Sequence, residues 1–123
     1  MTDLAKRLLA CPRFRWMPGM HAHAGRVLDV REAEVCLADE GATEDGNTVR
    51  WVDSAGLGPY LTDPATLGCL LTLVEERYGD GCYVQNLNGG LYGDGWVVFI
   101  DDQALTERHQ TRAHALVAAL EAA

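Results

Sequence analysis

Apolar residues recur at helical spacing in three stretches of this chain and alternate with polar ones in most of the rest. Leu4, Leu8 and Cys11 fall at i, i+4 and i+7, and Pro12 cannot continue the pattern, which predicts a short helix over 3–10. Leu67, Leu70, Leu71, Val74 and Tyr78 make one longer stripe. Its start is marked by Thr62-Asp63-Pro64. The residue before a proline is pushed out of the α region, the Asp63 carboxylate can accept from the free N–H groups beyond it, and Pro64 loses nothing at the first helical position. Gly79 suits the residue just past the end. A last helix, with Ala113, Leu116, Val117 and Leu120 on one side, is expected to begin after Thr111. The stretch 103–110 is ambiguous and leaves a start near Gln103 open.

Residues 26–30 and 34–38 are β-rich and separated by a short acidic turn, which predicts a hairpin. A third strand is expected over 48–53, where Val49, Trp51 and Asp53 alternate with Arg50 and Val52. The tetrapeptide Tyr78-Gly79-Asp80-Gly81 returns as Tyr92-Gly93-Asp94-Gly95, and β-type runs follow at 82–84 and 96–100. Gly reaches positive φ freely and Asp bonds nearby backbone, so each copy marks the turn into a strand. The glycine-containing stretch 86–90 suits a hairpin between the two. The resulting order is α-β-β-β-α-β-β-α. Short hairpin-linked strands pair antiparallel, so the expectation is a single α+β domain over 1–123, with about five strands and three helices on one face of the sheet.

Length and composition agree with a folded globule: 123 residues, 48% hydrophobic and 23% charged. No apolar run approaches the ~18 residues of a membrane span. The charges at Asp3, Lys6 and Arg7 are wrong for a secretion signal, which makes the cytoplasm the expected location. Cys11, Cys36, Cys69 and Cys82 form no Cys-x-x-Cys pair and read as reduced core thiols.

The formal charge of −8 is unevenly placed. Residues 32–103 hold fourteen Asp and Glu against Arg50 and Arg77, whereas residues 1–31 carry six Lys and Arg against two Asp. Such a segment either disperses as a solvated surface or gathers into an acidic face for a basic partner. The residues expected in such a face are Glu32, Glu34, Asp39, Glu40, Glu44, Asp45 and Asp53. Direct nucleic-acid binding is disfavoured, because neutralising phosphates needs a basic stripe. Arg13-Phe14-Arg15-Trp16 interleaves cations with aromatics, but as a loop pinned to the core by its rings it needs no nucleic acid.

Catalytic constellations are weak. His21 and His23 share a side of any extended stretch, yet no further ligand has a diagnostic spacing, so no metal is expected. Ser54 sits in no nucleophile elbow, and Cys11 has only Arg13 near it in sequence. The carboxylate pairs Asp39/Glu40, Glu75/Glu76 and Asp101/Asp102 are adjacent in sequence, and adjacent residues on a helix do not face each other. The glycine clusters lie at turns and form no phosphate loop. No catalytic residue and no cofactor is expected.

Three segments resemble pieces of small uncharacterised accessory proteins of tailed phages and prophages from high-GC bacteria: 15–20 (Arg-Trp-Met-Pro-Gly-Met), 61–71 (Leu-Thr-Asp-Pro-Ala-Thr-Leu-Gly-Cys-Leu-Leu) and 115–123. The resemblance implies a phage accessory protein and assigns no catalytic residue. The first functional expectation is therefore a non-enzymatic binding protein whose acidic face engages a host or phage protein with a basic surface, an inhibitor of a host defence protein being one version. A second copy of the chain is a further candidate partner. The alternative is a small-molecule or nucleotide-binding module with an aromatic pocket drawn from Trp16, Trp51, Trp96 and Tyr92. The third is a small hydrolase using Ser54, Cys11 or His21.

Overall fold

The computed structural model describes residues 1–38, 49–88 and 94–122. Among them, three helices and seven strands follow the order α1 (Asp3–Ala10), β1 (His21–Ala22), β2 (Gly25–Val30), β3 (Glu34–Ala38), β4 (Val49–Asp53), α2 (Pro64–Tyr78), β5 (Cys82–Leu87), β6 (Gly95–Ile100), β7 (Gln103–Ala104) and α3 (Arg112–Glu121). The protein is α+β, with every strand pairing antiparallel, and the strands divide into two sheets, β1-β2-β3-β4 and β5-β6-β7. No helix of the described residues is long and apolar enough to cross a membrane.

The chain separates into two compact units, one of residues 15–69 with Met1, the other of residues 2–14 and 70–123. The division falls inside α2, between Cys69 and Leu70. In the first unit, β2, β3 and β4 form a meander with a register shift between Val27 and Asp29. Because residues opposite one another on antiparallel strands share a face, Val27, Val35 and Leu37 lie together on one side, and all three are buried. Met20, Trp16 and Ala22 add to this unit's buried set.

In the second unit α3 packs against α1, β5 and β6. Ala115, Leu116, Val117, Ala119 and Leu120 of α3 are buried, as are Leu8 of α1 and Val97 and Val98 of β6. Both short helices are capped by threonine: Thr2 accepts from the Ala5 N–H at 3.1 Å and Thr111 from the His114 N–H at 3.1 Å, satisfying donors that a helix start leaves unpaired. Thr111 thus fixes the start of α3 that the ambiguous 103–110 stretch left open. Part of that stretch is β7, joined to β6 by Asp101 and Asp102, both at positive φ (47° and 66°). Two consecutive residues of this kind make the tight turn whose twist matches a hairpin.

The predicted cap of α2 is present. Asp63 accepts from the Thr66 N–H at 2.9 Å and from the Thr66 hydroxyl at 3.0 Å. Gly79, at φ 102°, ends the helix with its N–H on the Glu75 carbonyl. Of the second Tyr-Gly-Asp-Gly copy, Tyr92 and Gly93 lie outside the described residues.

Candidate functional site

The first sheet presents a second face, opposite the buried Val35 and Leu37. Register places Glu34 against Asp53, Cys36 against Trp51 and Ala38 against Val49, and on the other side of β3 it places Asp29 against Cys36. Asp29, Glu34, Trp51 and Asp53 therefore project from one face. Glu34 and Asp53 are both exposed, as are Asp29 and Glu32, the latter in the turn joining β2 and β3. Asp53 uses one carboxylate oxygen to accept from the Ala55 N–H at 2.8 Å. Two carboxylates directly across an antiparallel pair repel, which costs the free protein stability.

Trp51 gives this face an aromatic centre. The Arg31 guanidinium lies 3.7 Å from the ring centroid, a cation–π contact of about 0.5–1 kcal/mol at an exposed site. Arg31 owes its position to the tight turn, where its N–H donates to the Glu34 carbonyl at 2.8 Å. Arg26, opposite Ala38, is the second cation on this side of the sheet. Arg50 stands opposite Leu37, on the other face.

Of the seven acids expected in a binding face, the described residues include Glu32, Glu34 and Asp53. Asp39, Glu40, Glu44 and Asp45 lie outside the described residues. Of the remaining acids of the 32–103 segment, Asp63 caps α2 in the first unit, while Glu75 and Glu76 of α2 and Asp80, Asp94, Asp101 and Asp102 belong to the second. Asp29 and Trp51 join this face without a signal in the sequence. The bulge beside Leu28 sets which side Asp29 takes, and a bulge has no signature in a single sequence.

A second cluster of the first unit surrounds Tyr60. His21 and His23 both contact its ring, at centroid distances of 5.7 Å and 5.1 Å, the latter edge-on. His21 donates its backbone N–H to the Thr66 hydroxyl at 2.7 Å, and its Nδ1 lies 3.8 Å from Asp63 Oδ1. Burial pushes the Asp63 carboxyl up, but the two hydrogen bonds from Thr66, with His21 and Arg26 nearby, outweigh it and hold the group below the ordinary carboxylate range. The predicted His21–His23 pair is thus a packing element on Tyr60, and no group of three or more His, Cys, Asp or Glu able to hold a metal occurs among the described residues.

The hydroxyl and the thiol offered for hydrolysis each bond to a backbone carbonyl. The Ser54 hydroxyl donates to the Ala33 carbonyl at 3.1 Å, and the buried Cys11 thiol donates to the Leu120 carbonyl at 3.3 Å. Cys11, Cys36, Cys69 and Cys82 are all free thiols. Burial raises the Cys69 and Cys82 thiols, and nearby acids raise them further, which disfavours the nucleophilic thiolate. Of the four aromatics offered for a pocket, Trp16 and Trp51 belong to the first unit and Trp96 to the second, while Tyr92 lies outside the described residues.

Comparison with models of protein families, with curated protein sequences and with solved structures returns no match.

Proposed function

We propose that this chain is a non-enzymatic binding protein and that the face of the first sheet carrying Glu34 and Asp53 receives a basic surface of another protein. The observation that carries the reading is the direct opposition of these two carboxylates on β3 and β4. Held on regular strands, they keep a fixed spacing, and the repulsion between them is relieved when a partner's lysine or arginine arrives. Trp51, two residues from Asp53, carries the chain's own Arg31 guanidinium on its ring and adds aromatic surface beside the acids. Glu32 and Asp29 extend the negative edge, and Asp39, Glu40, Glu44 and Asp45 join the proposal through the sequence alone. The partner is a host or phage protein, and the chain acts in the cytoplasm as a phage-type accessory protein.

The test compares the chain with its Glu34→Gln/Asp53→Asn variant, both immobilised and challenged with an arginine-rich peptide at low and high salt. The proposal expects retention that weakens as salt screens the contact and falls in the variant. Retention indifferent to salt, or equal in the variant, overturns it. Lysate from a bacterial host, passed over the same two surfaces, then identifies a partner held by the first and released by the second.

A further inference from the structure

In the second unit, the adjoining ends of β5 and β6 and the segment before α3 flank an open polar depression of about 510 Å³, lined by Asn86, Asn88, Asp94, Trp96, Arg108 and Gln110. Its walls are built by pairing: Trp96 exchanges both backbone hydrogen bonds with His109, at 2.8 Å and 2.9 Å, so that residues 108–110 run beside the start of β6. Gly95 makes that approach possible, since a Cβ there would stand 2.9 Å from the Arg108 Cβ. Asn86 stands opposite Trp96 across the ladder and shares its face. Arg112, from the first turn of α3, lies 5.3 Å over the Trp96 ring.

We infer that this pocket binds a carbohydrate. A pyranose has an apolar C–H face, which packs on an indole, and a ring of hydroxyls that each donate and accept. Three amides, one carboxylate and one guanidinium supply donors and acceptors together, with few rotatable bonds in the amides. Other ligand classes fit less well. A phosphate or nucleotide needs converging cations, whereas Arg108 is the one Lys or Arg among the described residues lining the pocket, Arg112 is taken up on the Trp96 ring, and Asp94 opposes an anion. A wholly apolar ligand would cover these polar side chains and bond to none of them. Hydrolysis of a glycosidic bond needs two carboxylates, and the pocket contributes Asp94 alone, so the role is recognition.

The inference is independent of the acidic face, which belongs to the other unit. It is tested by passing the labelled full chain over an array of immobilised glycans with hexose, N-acetylhexosamine, deoxyhexose and uronic-acid termini. Asn88→Ala/Asp94→Ala is run beside it; both positions are exposed, so the substitutions leave the fold intact, as circular dichroism verifies. Expected are retention on a subset of the glycans, competition by the matching free sugar, and a loss of at least about tenfold in affinity in the variant. In the full chain, the Trp96 indole N–H resonance shifts on titration with that sugar. Absence of retention on every glycan, or retention equal in the variant, overturns the inference. So does binding of a nucleotide series at the same residues in preference to all sugars.

Discussion

Glu34 and Asp53 face each other across β3 and β4 with the same charge, and both are exposed. A binding role for this pair makes a stability prediction of opposite sign to its binding prediction. Glu34→Lys converts the repulsion into an attraction of about 0.2–1 kcal/mol, so unfolding in urea should move to higher concentration at unchanged slope. The same variant should lose retention of the arginine-rich peptide. A variant that is less stable as well as weaker in binding would mean that Glu34 acts through the fold rather than through its charge.

Asp63 holds the start of α2 through the Thr66 N–H and hydroxyl. Asp63→Ala should therefore cost about 1 kcal/mol in equilibrium unfolding, whereas Asp63→Asn, which keeps an acceptor, should cost a few tenths. The native carboxyl titrates below its unfolded value, so its contribution is fully present above the unfolded value of ~3.9 and fades as pH falls through the lower native value. The wild type should accordingly lose stability over that acid range more steeply than Asp63→Asn. Parallel curves for the two proteins would remove the carboxylate from the cap.

Gly95, at φ 146°, lies against the Arg108 Cβ and the His109 carbonyl. Gly95→Ala should destabilise the protein by roughly 1–3 kcal/mol, through backbone strain and a contact that backbone atoms cannot yield. Gly19, also at positive φ (96°) but with open space where a Cβ would go, isolates the conformational part. Gly95→Ala is expected to cost more than Gly19→Ala, measured by the same unfolding experiment.

Such contrasts mark what could be read from the chain before folding. The three helices were legible because each carries an apolar stripe and a boundary made by local chemistry, as at Asp63-Pro64 and at Thr111. The strands β2, β3, β4 and β6 were legible from β-branched runs between turn residues. β1 and β7, two residues each, have no periodicity to detect and exist through their partners, Arg26 and Gly25 for β1, Phe99 and Ile100 for β7. The division into two sheets is likewise a matter of long-range pairing. The acids of the candidate face were legible as a composition. That Glu34 meets Asp53 depends on register across a long connection, and Trp51 joins them because it stands two residues from Asp53 on the same side. The Trp96 pocket draws residues from 86–110 and has no contiguous motif.

The β6-β7 turn shows how a hairpin escapes a search based on glycine. Asp101 and Asp102 occupy the two positive-φ positions that Asn-Gly ordinarily fills. Tyr83, exposed, donates its hydroxyl to Asp102 at 3.1 Å. Asp102→Gly should raise stability by up to about 1 kcal/mol, the relief of a left-handed non-glycine residue being partly offset by the lost hydrogen bond. Tyr83→Phe separates the two contributions, since it removes the bond and keeps the strain. A destabilised Asp102→Gly with an unaffected Tyr83→Phe would contradict this account.

Arg7 of α1 and Glu121 of α3 meet as a two-pronged ion pair, Nε to Oε2 at 3.2 Å and Nη2 to Oε1 at 2.5 Å. The Arg7 hydrogen bond draws the Glu121 carboxyl below its usual range, against a burial effect of opposite sign. Both side chains are well exposed, 47% and 37%, so solvent screens the pair and a double-mutant cycle of Arg7→Ala and Glu121→Gln should give no more than about 1 kcal/mol. The sign with pH follows from the lowered native value. The contribution is complete above the unfolded carboxylate value of ~4.3 and disappears as pH falls through the native one. Coupling between the two sites should therefore be measurable at neutral pH in low salt and shrink both in concentrated salt and in acid. Coupling that survives acid would assign the junction of α1 and α3 to apolar packing around Leu8 and Leu120, with the ion pair a consequence of that packing.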